Sequence, residues 1–232
     1  MIVAIVNQHD NLARTLVARN LAVLRARSAR RVCLMTTGGA FDALDWSEQR
    51  SAAGVQPWID TRQVGSRAVK TRLAALRPLF DDILIDAGAR DSEDCRCVLA
   101  SADLVLVPVR AGAIDLDGQY RLLRRINNAR AFNRALRVLF VAVTDSALLH
   151  ADACAAVLAH VARVRHATLA DTILCRVGAF DYGPGRCVCD AETCNLDAAT
   201  DMHALYREVY APPARLAAGA QAQMGAAHAL WR

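Results

Sequence analysis

MIVAIVNQHDNLARTL (Met1–Leu16) is the stretch that decides the fold. Ile2 to Val6 form an apolar run that reads as a buried strand, and Arg14 to Ala26 read as the helix after it. The link from Asn7 to Ala13 has the place and length of a phosphate-binding loop, G-x-x-x-x-G-K-S/T, whose backbone N–H groups cradle phosphates. In that register Gln8 falls at the first Gly, Ala13 at the second, Arg14 at the Lys and Thr15 at the magnesium-binding hydroxyl. The frame is present, but the residues that make phosphate chemistry possible are not.

Working outward, 232 residues suffice for one domain with a large core, and 54% apolar content with short strands between helical segments points to α/β. The runs ILID (83–86), LVLVPV (104–109) and VLFVAV (138–143) suit strands buried on both faces, as a parallel sheet requires. Strands are expected near 2–6, 31–36, 82–86, 103–108, 137–143 and 172–176. Helices are expected near 14–26, 42–50, 65–77, 93–100, 116–129, 150–163 and 197–209. The reading is a doubly wound, mostly parallel sheet flanked by helices over residues 1–210, with an Ala-rich helix or tail at 211–232 after Pro212-Pro213. No run reaches the length of a membrane span, and the five-residue N-terminal apolar stretch is no signal peptide, so a cytoplasmic protein is expected. The tail carries only Arg215 and Arg232 as cations, which disfavours a membrane anchor and favours docking on the domain or on a partner.

Several segments together resemble the ParA/MinD family of P-loop ATPases, which position plasmids, chromosomes and other cargo. Relatives follow the first strand with Asn-Gln-Lys-Gly-Gly-Val-Gly-Lys-Thr-Thr, where this chain has Asn7 to Leu16. Arg30–Trp46 resembles the second strand and its turn, Phe80–Ser92 the Walker B strand, Ala102–Gly118 the next strand and helix start, and Met202–Val209 the closing helix. The resemblance implies the fold above, a nucleotide site built from Arg14, Thr15 and Asp86, ATP–Mg²⁺ as cofactor, and a homodimer. Against that pattern Asp10, Asn11 and Ala13 replace three glycines that would allow positive φ and close approach to phosphate oxygens. A planar guanidinium at Arg14 does not reproduce a compact ammonium. His9 replaces the family's second Lys. Thr36 stands where relatives place a water-positioning Asp, and Val143 where they present an Asn to adenine. Lys70 is the single lysine among 28 basic residues, so arginine drift accounts for Arg14 but not for the other changes.

Net charge is +5, with arginine clusters at 25–31, 121–137 and 163–166. They read either as solvated helix faces or as a nonspecific DNA surface, with Arg121, Arg124, Arg125, Arg163 and Arg165 as the candidate contacts. Eight cysteines in a cytoplasmic chain are expected to be reduced. Cys33 and Cys154 read as core residues, and Cys95 and Cys97 as a poor chelating pair. Cys187, Cys189 and Cys194 fall in a turn-rich segment (182–195), with Cys175 or His203 as a fourth ligand for Zn²⁺ or an iron–sulfur centre. Inert or redox-active thiols are the alternatives, since C-x-C-x₄-C matches no recurrent zinc spacing. In relatives this segment folds near the nucleotide base, so it could close an empty pocket.

Three readings follow. The first is a pseudo-ATPase without a bound cofactor, serving as an accessory or scaffold factor in partition or positioning through protein partners and nonspecific DNA. The second is a slow, divergent ATPase that still uses ATP–Mg²⁺. The third is a metal- or redox-responsive regulator on the same scaffold.

Overall fold

The computed structural model describes residues 1–7, 11–37, 42–65, 68–88, 93–111, 115–144, 151–164, 166–175, 183–190 and 195–210. Among the described residues strands and helices alternate: β1 (Ile2–Val6), α1 (Asn11–Arg27), β2 (Val32–Thr37), α2 (Asp42–Ala52), β3 (Asp60–Val64), α3 (Val69–Leu76), β4 (Asp82–Ala87), α4 (Glu93–Ser101), β5 (Leu104–Arg110), α5 (Leu116–Arg130), β6 (Arg137–Thr144), α6 (Ala151–Val161), β7 (Ala167–Cys175) and α7 (Leu196–Tyr210). The seven strands form one sheet in the order β3-β2-β4-β1-β5-β6-β7, and every pairing is parallel. The α/β class and the parallel sheet expected from the apolar runs are therefore present.

β1 shows why such runs are needed. All five of its residues are buried, and their alternating side chains enter two different cores. Val3 and Ile5 pack with α1, α2 and α7, whereas Ile2, Ala4 and Val6 pack with α3, α4, α5 and α6. A strand between two helical layers has no polar face to spare. α1 is likewise buried along most of its length, from Ala13 through Leu16, Val17, Leu21 and Leu24.

Three boundaries differ from expectation. β3 was not foreseen, because DTRQV carries no apolar run; it is an edge strand with Arg62 and Gln63 exposed and Asp60 paired to Arg62 at 2.7 Å. α1 starts at Asn11 instead of Arg14 and so takes over half of the presumed loop. β7 spans Ala167–Cys175, earlier than the 172–176 expected, since its outer residues are only half-buried. The segment at 211–232, with its docking or membrane role, lies outside the described residues, as do His9, Asp10, Arg165 and Cys194. Among the described residues no helix is long and apolar enough to cross a membrane.

The β7 edge is closed by a side chain. Its register against β6 slips between Phe140 and Ala142, and a bulge of this kind leaves backbone donors without ladder partners. Glu208 of α7 accepts both, from Asp171 N–H at 2.8 Å and Thr172 N–H at 2.8 Å, and also takes the Thr172 hydroxyl. Glu208→Ala should cost about 1–3 kcal/mol in urea unfolding, the scale for stranding such donors. It should also accelerate amide exchange at Asp171 and Thr172 without disturbing β1.

Candidate functional site

Strand order reverses at β1, which lies between β4 and β5, and open α/β sheets hold ligands beyond the carboxyl ends of the strands at such a point. The groups gathered there are the end of β1, the first turns of α1 and the end of β4. Ile5 is in register with Asp86, so the chain leaving β1 sets α1 directly over that carboxylate. Asn7 is fixed by its side-chain amide, which donates to the Pro108 carbonyl at 2.9 Å.

Arg14, Thr15 and Asp86, the residues the resemblance pointed to, lie together, and Arg14 and Thr15 are both bonded to Asp86. The Arg14 Nε–H donates to Asp86 Oδ1, and the Thr15 hydroxyl donates to Asp86 Oδ2 at 2.7 Å. Arg14 is 2% exposed and Asp86 1%. A buried pair of this kind is held by strong mutual attraction and by the cost of stranding either charge alone. Arg14 sits in the first turns of α1, where the helix dipole disfavours a cation, and Asp86 offsets that as well.

The family resemblance implies magnesium at these residues. Thr15 and Asp86 are suitable hard oxygen donors, but the adjoining cation position is taken by the guanidinium. A divalent ion at Asp86 would have to displace the Arg14 guanidinium. The set does not fit Mg²⁺ while Arg14 keeps this position. Nearby, Thr37 Oγ1 accepts the Gly88 N–H at 3.1 Å, whereas the Thr36 hydroxyl is buried without a hydrogen-bond partner. Val143 is a buried core residue.

The arginine clusters divide. Arg25 and Arg30 bind Asp82 at 2.7 and 3.2 Å, Arg27 binds Asp190 at 2.9 Å, and Arg31 binds Asp81 at 3.2 Å, so the first cluster is engaged in internal ion pairs. Arg121, Arg124 and Arg163 are exposed. Arg125 is not a surface contact: it is buried, with Nη1 3.6 Å from Cys95 Sγ, because its position on α5 faces α4.

Cys187 and Cys189 lie in the turn segment 183–190 and are buried in the same core as Leu21 and Met202. Hydrogen bonding to Cys189 and then burial push the Cys187 thiol far above its ordinary range. Cys175 ends β7, its N–H donating to Asp201 at 3.1 Å, and His203 is exposed on α7. Among the described residues no group of three or more His, Cys, Asp or Glu is arranged to hold a metal.

What anchors residues 183–190 is an ion pair that sequence reading missed. Arg50, fully buried, uses all five N–H groups: two on Asp190 at 2.8 Å each, and one each on the carbonyls of Pro57 (2.8 Å), Gln56 (2.8 Å) and Gly185 (3.0 Å). Asp190 also accepts Arg27 and the Cys187 N–H. Trp46 lies between Arg19 and Arg50, each 5.5 Å from its ring, and donates Nε1–H to the Arg186 carbonyl at 2.9 Å. Gly185 is obligatory: its φ is +71°, and a Cβ would come 2.3 Å from the Arg50 nitrogen. Arg27 and Arg50 close α1 and α2, so these contacts lie about 20 Å along α1 from Arg14, by the rise of 1.5 Å per residue. The described part of the Cys segment is therefore anchored away from Asp86 and does not close a pocket over it.

Burial alone would raise the Asp190 carboxyl, but Arg50 and Cys187 hold it below its ordinary value; Asp82 is lowered in the same way by Arg25. A depressed carboxyl stabilises the fold fully above its unfolded pKa and loses that contribution as pH falls through the folded one. Stability should therefore drop steeply below about pH 4. Asp190→Asn should flatten part of that slope, while Asp190→Ala, which strands Arg50, should cost roughly 3–5 kcal/mol at neutral pH in chemical denaturation.

No protein-family model matches the sequence, and no curated protein matches it significantly. Solved structures do. A plasmid partition protein from Borrelia burgdorferi aligns over 90% of this chain and 96% of its own, at 12% identity and TM-score 0.62. The cell division ATPase MinD of Pyrococcus furiosus aligns over 90% and 97%, at 16% identity and TM-score 0.59. A cobyrinic acid a,c-diamide synthase from Mycobacterium smegmatis, solved with an ATP analog and magnesium, aligns over 90% and 96%, at 17% identity and TM-score 0.64. At these identities the likeness is one of architecture: the chain has the α/β fold of the plasmid partition protein and of MinD.

Proposed function

We propose that this protein is a ParA/MinD-like pseudo-ATPase that serves as an accessory or scaffold factor in partition or cargo positioning. It acts in the cytoplasm through protein partners and without an ATP cycle. The observation that carries this reading is the buried Arg14–Asp86 pair, in which the group at the lysine position turns back onto the Walker B carboxylate. The fold it shares with a plasmid partition protein and with MinD supports the positioning role. Phosphoryl transfer depends on positioning and electrostatic stabilisation acting together. Here the lysine, three glycines and the Asp expected at Thr36 are all replaced.

The competing reading is a slow ATPase like the synthase that holds an ATP analog and magnesium. Thermal melting separates the two. A ligand bound with a Kd of ~10 µM stabilises the fold by about 2.7 kcal/mol at 1 mM. Millimolar ATP–Mg²⁺ should shift the Tm of this chain by less than about one degree, and a shift of several degrees would establish the ATPase reading instead. Arg14→Lys alone should show no turnover, because the other substitutions remain; measurable hydrolysis in that variant would mean that the loop tolerates them.

A nucleic-acid surface is a second reading, favoured by a basic outer face. Lys70 and Arg72 on α3 and Arg121 and Arg124 on α5 are exposed on the same side of the sheet. Binding to duplex DNA should be independent of sequence and weaken with salt, each neutralised phosphate contributing a slope of about −0.9 in log affinity against log salt. Arg121→Ala with Arg124→Ala should reduce that slope. No binding in a low-salt titration would leave these arginines as a solvated face.

A further inference from the structure

We infer that Arg14 is a tethered counter-ion: it neutralises Asp86 from within the chain and blocks a latent divalent-cation site formed by Asp86 and Thr15. This deepens the pseudo-ATPase reading and rests on it, by giving the means through which the site is kept independent of ligand. The Arg14 guanidinium and the Asp86 carboxylate form a neutral pair with almost no exposure to solvent. Thr15 occupies the other carboxylate oxygen at 2.7 Å. A pair that is already neutral and hydrogen-bonded offers no unpaired negative charge to attract a metal ion from solution.

The neighbourhood supports a site shaped around one positive charge. Asp86 is flanked in register by Ile5 of β1 and by Thr36 of β2, which bring no second carboxylate and no second cation. Once Arg14 is removed, the Asp86 carboxylate and the Thr15 hydroxyl remain side by side without this counter-charge. Such a set favours a small hard cation. The buried Thr36 hydroxyl, in register with Asp86 and without a partner, is a further oxygen at the same strand ends. Coupling between the β1–α1 connection and β4 therefore comes from a covalently attached cation. It is present whether or not any nucleotide is.

The test uses the full chain and Mn²⁺ as probe, read by melting temperature and by Mn²⁺ electron paramagnetic resonance. The parent chain should bind no Mn²⁺ and show no shift at millimolar ion. Arg14→Ala should melt at least about 6 °C lower, as expected for an unpaired buried charge in a chain of this size. Millimolar Mn²⁺ or guanidinium should restore at least about a third of that loss, with about one Mn²⁺ bound per chain. Asp86→Asn in the Arg14→Ala background should abolish both effects. Should Arg14→Ala fail to fold, Arg14→Gln, which keeps most of the side-chain length, takes its place with the same expectations. The inference is overturned if the parent binds Mn²⁺ at this site, if neither Arg14 variant gains Mn²⁺ binding, or if the gain survives Asp86→Asn. A parent that responds to ATP–Mg²⁺ but not to Mn²⁺ alone, with Arg14→Ala still gaining Mn²⁺, would sink the pseudo-ATPase reading and leave the counter-ion role standing.

Discussion

A guanidinium and a carboxylate meet out of contact with water at the one place where the strand order reverses, and much of the upper end of the molecule depends on their pairing. Arg14 lies in the first turns of α1 and Asp86 near the end of β4, so the bond joins the helix leaving β1 to the strand beside it. Each charge alone would be costly there. The apolar residues of β1 bring the two segments into register, and the ion pair then makes that register the only one in which both charges are satisfied. In this chain the two side chains face each other.

The opposite end of α1 follows the same logic with a different pair. Arg50 and Asp190 gather α2, the segment before β3 and residues 183–190 around one fully hydrogen-bonded guanidinium. Arg27 reaches the same carboxylate from α1. Beside it, Asp82 collects Arg25 and Arg30 at the start of β4, with Arg25 also 4.1 Å over the Tyr210 ring. Lysine would serve poorly at these sites, since a single ammonium lacks the five planar donors that Arg50 uses. The arginine-rich composition therefore reflects buried architecture as well as surface charge.

Much of the fold was legible because burial on both faces leaves a mark in sequence. ILID, LVLVPV and VLFVAV became β4, β5 and β6, and the short run before Asn7 became β1. β3 escaped because an edge strand needs no apolar run, and DTRQV has none. The Gly- and Pro-rich stretch at 183–190 suggested an open loop. Its cysteines are instead core residues, since Asp190 pulls the segment onto Arg50. No local pattern announces a contact between residues 140 positions apart. At the site, the family resemblance singled out Arg14, Thr15 and Asp86. What the sequence could not convey was the direction of the Arg14 side chain, which is buried against Asp86.

The claim that Arg14 and Asp86 form one energetic unit is tested most directly by a double-mutant cycle with Arg14→Met and Asp86→Asn, measured by equilibrium urea unfolding. Each single change strands a buried partner, while the double change removes both charges together. A coupling of about 2–3 kcal/mol, with the double variant more stable than the sum of the single losses, is the expected result. Additive losses would contradict the ion pair and return Arg14 to the solvent-facing role that its place in the motif suggests.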